Sequence, residues 1–99
     1  MGADLLKSCR DEIDRIDVAI LALINERTRV VEEIGRIKQE HKMAIYEPKR
    51  EEQVFLNITS NNKGPLPDDA VKRVFERIID EMRTVQRLKM LREQQEGTK

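Results

Sequence analysis

The chain has 99 residues, 38% of them charged and 3% aromatic, with no Trp, which suits one domain with a single core built from long helices rather than a sheet. Lys plus Arg equals Asp plus Glu at 19 each, so no global field draws the chain to nucleic acid or to anionic lipid, and any anion binding has to be local. The expected class is all-α, a single domain over 1–99 with helices at about 4–40, 48–60 and 68–94.

The first helix begins at Ala3 or Asp4, with Asp4 as N-cap, and runs to about Glu40 with Gly35 as its one weak point. Along it Leu6, Cys9, Ile13, Ile16, Ile20, Leu23, Val30, Ile34 and Ile37 recur at alternating steps of three and four, which is a heptad seam. The seam breaks once, between Leu23 and Val30, where Arg27 fills the apolar slot. A buried charge is too costly to leave unpaired, so Arg27 needs a carboxylate, open water or an anionic ligand. At ~1.5 Å per residue the helix is on the order of 55 Å long, and part of it should pack on another chain. Cys9, the one cysteine, lies on the seam and reads as a buried core thiol in a reducing cytosol. The first residues carry no basic and apolar leader, and no run approaches the roughly 18 apolar residues of a membrane span, so a soluble, cytoplasmic protein is expected. Gly2 invites a myristoylation reading, but Leu6 stands where that signal wants Ser or Thr.

Residues 41–46 lack helical periodicity and lead to Glu47-Pro48, a cap followed by a first helical proline. The second helix then carries Val54 and Ile58 on its inner side, and the turn-rich stretch from Asn61 to Pro67 closes it. A third helix starts at Asp68 or Asp69 with Val71, Val74, Phe75, Ile78, Ile79, Met82 and Val85 on one face. The tail from Glu96 to Lys99 is expected to be disordered.

Several polar residues stand where a plain bundle would not place them. Lys38 follows Arg27 by three turns, so the two side chains leave the helix in nearly the same direction about 16 Å apart and can lean over one small ligand. Arg10 lies about 25 Å and roughly 100° away from Arg27, too far to join it in the same chain. Gln86 projects an amide from the apolar face of the third helix and needs a partner. Arg50 and Glu51 follow the start of the second helix, near the loop after Lys38. Each also has a plainer explanation: Arg10, Lys38, Arg50 and Glu51 as solvated surface charges, Arg27 reaching the helix edge, Gln86 bridging to a backbone carbonyl. His41 with Cys9 makes no metal constellation, and Ser8 and Ser60 have no base beside them, so neither metal nor nucleophilic chemistry is supported.

Taken together, five spaced segments carry a family resemblance. They are Leu5-Leu6 with Arg10, Ile16-Asp17-x-x-Ile20-Leu21-x-Leu23-Ile24-Asn25-Glu26-Arg27, Ile34-Gly35-Arg36-Ile37-Lys38, Tyr46-Glu47-Pro48-x-Arg50-Glu51, and Phe75 through Gln86. In this order, over nearly the whole chain, they closely resemble the all-helical chorismate mutases.

The resemblance implies an intertwined homodimer of three-helix chains that rearranges chorismate to prephenate on the way to phenylalanine and tyrosine, without a cofactor. It also implies that Arg27 and an Arg10 donated by the other chain hold the two substrate carboxylates. By the same matching, Lys38 and Gln86 donate to the ether oxygen of the breaking bond, Arg50 adds positive field, and Glu51 takes the ring hydroxyl together with the backbone at Glu47. Two residues depart from the family pattern: Met82, where some relatives carry a Ser that bonds a carboxylate, and Glu47, where relatives often have Asp. Two rival readings remain, an isochorismate pyruvate lyase on the same bundle, whose relatives lack a pair like Arg50-Glu51, and a non-catalytic dimerisation or regulatory domain of an aromatic-biosynthesis enzyme.

Overall fold

The three prolines all lie outside helix interiors: Pro48 opens one helix, and Pro65 and Pro67 stand in the turn before the next. Between these stops the chain is helical. The computed structural model describes residues 1–97 and contains α1 (Gly2–Glu40), α2 (Pro48–Asn61) and α3 (Asp68–Gly97). Helix α1 starts before the expected cap, with Leu5 N–H donating to the Met1 carbonyl at 3.2 Å. Asp4 therefore sits in the first turn, where its charge still favours the helix dipole. At the other end α3 continues through Glu96 and Gly97, so those two residues are helical and not disordered, while Thr98 and Lys99 lie outside the described residues. No described helix is long and apolar enough to cross a membrane.

The chain divides into two compact units, Met1–Val31 and Glu32–Lys99. The first is a single stretch of α1. Its seam residues Leu6, Ile13, Ile16, Ile20, Leu23 and Val30 are all exposed, since a lone stretch of helix has nothing within its own unit to cover an apolar stripe. Cys9 lies on the same stripe and is exposed in the single chain for the same reason.

In the second unit α2 packs on α3. Ile79 and Met82 are the buried apolar residues, ringed by the half-buried Val54, Phe55, Ile58, Val71, Phe75, Ile78 and Val85. Val74, expected on this face, is exposed. At about 100° per residue it points roughly 110° away from the middle of Ile79, Met82 and Gln86. The turn into α3 is held by Asn62, whose side chain accepts from Gly64 N–H at 3.0 Å and donates to the Leu66 carbonyl at 2.8 Å and to Asp68 at 2.7 Å. Gly64 takes a φ of 69°, a conformation open to glycine at little cost.

The end of α1 closes in a Schellman motif. Met43 N–H donates to the Lys38 carbonyl at 2.7 Å and Lys42 N–H to the Gln39 carbonyl at 3.3 Å. The left-handed position of that motif, usually glycine, is Lys42 with φ 54°. Lys42→Gly should therefore raise unfolding stability by about 1 kcal/mol, a cost that L side chains incur in this region. Denaturant midpoints measured side by side check it, and an unchanged or lower midpoint contradicts it.

Candidate active site

Lys38 occupies the last turn of α1, where a cation suits the carboxyl end of the helix. The Schellman motif turns the chain back over it, and its Nζ donates to the Ile45 carbonyl at 2.9 Å and meets Glu47 Oε1 at 2.6 Å. The residue is only 9% exposed, although charged. Such burial is tolerable because both acceptors lie on one loop and Glu47 itself keeps 45% of its side chain in solvent. An ammonium has three donors, so two bonds leave a third. The matching to the family gave Glu47 a backbone role alone, whereas here its carboxylate holds Lys38.

Gln86 is 8% exposed and approaches Gly35, one turn before Lys38 on α1: a Cβ built on Gly35 would lie 3.6 Å from Gln86 Cγ and 3.7 Å from Nε2. A turn further on, Lys89 Nζ pairs with Glu32 Oε2 at 3.1 Å and ties α3 to the same face of α1. The two buried apolar residues among those described are Ile79 and Met82, on the same helix as Gln86. Met82 thus serves as core.

Glu51 lies in the first turn of α2. Its Oε1 meets Arg83 Nη2 at 3.4 Å, and the same nitrogen meets Asp80 Oδ1 at 2.8 Å. The Arg83 guanidinium carbon stands 5.3 Å from the centre of the Tyr46 ring. Arg50 points elsewhere: it is exposed and its Nη1 reaches Gln53 Oε1 at 3.5 Å. Of the expected site residues, Lys38 and Glu47 are brought into contact, Gln86 packs at Lys38's face of α1, Glu51 is bound to α3, and Arg50 joins none of them. Arg10 and Arg27 belong to the first unit, Arg10 exposed and Arg27 half-buried. Arg83 and Tyr46 were not among the expected residues. A spacing of three permits the local pair between Asp80 and Arg83, but the contact to Glu51 spans 32 positions and leaves no local trace.

A fixed ammonium on α1 and a buried amide on α3 thus stand as two polar groups inside an all-helical chain. Residues 9–87 match the family described as chorismate mutase type II, and the chain belongs to that family. It is 43% identical over 84 residues to the bifunctional chorismate mutase/prephenate dehydratase of Neisseria gonorrhoeae, an alignment covering 85% of this chain and 23% of that protein. It is 30% identical to the chorismate mutase of Methanocaldococcus jannaschii, covering 83% of this chain and 84% of the relative. The solved structure of chorismate mutase (form II) from Thermus thermophilus superposes with a TM-score of 0.81 at 36% identity, covering 83% of this chain and 93% of that one. The chain thus spans under a quarter of the bifunctional relatives' length and most of the other two.

Proposed function

We propose that this chain catalyses the rearrangement of chorismate to prephenate in the cytoplasm, acting as a homodimer with two shared sites. The observation that carries the reading is Lys38, a buried ammonium held by the Ile45 carbonyl and Glu47 with one N–H left to give. The reaction is an intramolecular [3,3] shift in which one C–O bond breaks as one C–C bond forms. It needs the substrate held in a compact, chair-like form and donors fixed where negative charge grows on the ether oxygen. Lys38 and Gln86 are those donors. Arg27, with Arg10 of the second copy, binds the two carboxylates, a task that suits a guanidinium fork which keeps its charge. Arg50 adds positive field from the α2 start, and Glu51 accepts the ring hydroxyl beside the backbone of Glu47. What supports the dimer is the exposed seam of the first unit, whose apolar stripe calls for a partner helix.

The test is to incubate purified protein with chorismate and, separately, with isochorismate. Prephenate from the first and no salicylate from the second is the expected result. Salicylate with pyruvate would turn the reading to the lyase, and no turnover of either would leave a dimerisation or regulatory domain.

Because the rearrangement transfers no proton and an amide does not titrate, the rate should be nearly flat between about pH 6 and 8. Gln86→Glu should make the same rate acid-dependent, falling about ten-fold per pH unit once the new carboxyl ionises and stops donating. A kcat/KM profile of both proteins checks this, and a flat profile for Gln86→Glu removes Gln86 from the ether oxygen.

A further inference from the structure

Arg83 has no part in the roles assigned above, yet it joins α3 to both α2 and the loop before it. We propose that Arg83 is a positioning residue, fixing the Glu51 carboxylate and clamping the 41–47 loop through the Tyr46 ring. The inference rests on the reading of Glu51 as acceptor of the substrate hydroxyl.

Three observations carry it. First, Arg83 Nη2 touches only Oε1 of Glu51, at 3.4 Å. That contact sets the direction of the carboxylate and leaves Oε2 to accept a hydroxyl proton. Glu51 keeps 23% of its side chain exposed against 60% for Asp80, so the Glu51 contact is the less screened of the two, while Asp80, three residues back on α3, anchors the guanidinium from its own helix. Second, Tyr46 lies between Ile45 and Glu47, the two residues that accept from Lys38. A guanidinium over the Tyr46 face at 5.3 Å therefore restrains both acceptors at once. Third, Arg83 Nε is buried without a hydrogen-bond partner among the described residues. A group that could turn freely would satisfy that donor, so the carboxylates and the ring impose its orientation against a cost.

Binding of the ring hydroxyl is felt alike in the bound substrate and the transition state, so losing it raises KM more than it lowers kcat. Arg83→Met, which keeps the length of the stem, should raise KM for chorismate by about ten-fold with kcat within about three-fold. In a Glu51→Gln background the same change should add less than about two-fold to KM, because the effect of Arg83 on hydroxyl binding is transmitted through Glu51, the Tyr46 clamp being read separately. Arg83→Lys should recover part of the loss through its charge but not its flat stacking, and it supplies the same cycle should Arg83→Met fail to fold.

Tyr46 is the one Tyr in a chain without Trp, so intrinsic emission reads the loop directly and needs no substrate. Its intensity should differ between wild type and Arg83→Met. Equal emission in both, a KM penalty equal in both backgrounds, or a kcat loss without a KM change each overturns the proposal. A wild type that turns over no chorismate overturns the functional reading, and the Glu51 half of this proposal with it, while the Tyr46 emission still decides the clamp.

Discussion

Lys38→Met should lower kcat for chorismate by about 10²–10³-fold, the loss seen when one fixed donor is taken from a developing oxygen charge. Met keeps the unbranched stem, so the volume that the Lys38 side chain fills stays occupied and only the ammonium goes. Stability should fall little. Glu47, with 45% of its side chain in solvent, regains water when its partner is lost, and an ion pair that open contributes about 1 kcal/mol or less. The Ile45 carbonyl likewise lies in a half-exposed loop position. Thermal unfolding and single-turnover rates on the same preparation separate the two effects. If activity survives within a few-fold, or if it falls only because the protein unfolds, Lys38 is a structural tie between α1 and the loop.

The starts of α2 and α3 were legible because they depend on short-range chemistry, whereas α1 began two residues before its expected cap and α3 ran past its expected end. Pro48 after Glu47, the turn residues from Asn61 to Pro67 and the paired Asp68-Asp69 each act within a few positions, and α2 and α3 begin where those residues require. The seam was equally legible as a pattern, but a pattern states only that a stripe needs cover. Within the described chain the stripe from Leu6 to Val30 is open, and Cys9 lies open with it.

The site divides along the same line. Lys38 and Gln86 stood out as polar residues at unusual helical positions, and both are buried. The carboxylate of Glu47 escaped notice because its reach to Lys38 depends on the left-handed turn at Lys42, a backbone feature carried by a residue that gives no sign of it. Arg83 escaped because an ion pair over 32 positions is a fact of packing between α2 and α3. Long-range pairs of this kind arise only once helices are docked.

The exposed seam and the position of Arg10 together lead to an expected result for mixed proteins. Arg10 lies 17 residues before Arg27, about 25 Å along a helix, so an Arg10 that serves a site with Arg27 and Lys38 has to come from the second copy. Arg10→Ala and Lys38→Met should each be nearly inactive alone. Unfolded together in equal amounts and refolded, half the dimers should be mixed if pairing is random. In each mixed dimer one site takes Arg10 and Lys38 from the two intact positions, and the other site carries both defects. Recovered activity should then be about a quarter of wild type on two-fold symmetry. The control is mixing without unfolding, which should recover activity only as fast as subunits exchange. If refolding yields dimers with no activity, Arg10 either acts within its own chain or takes no part, and the shared-site reading fails while the assignment of Lys38 stands on its own result.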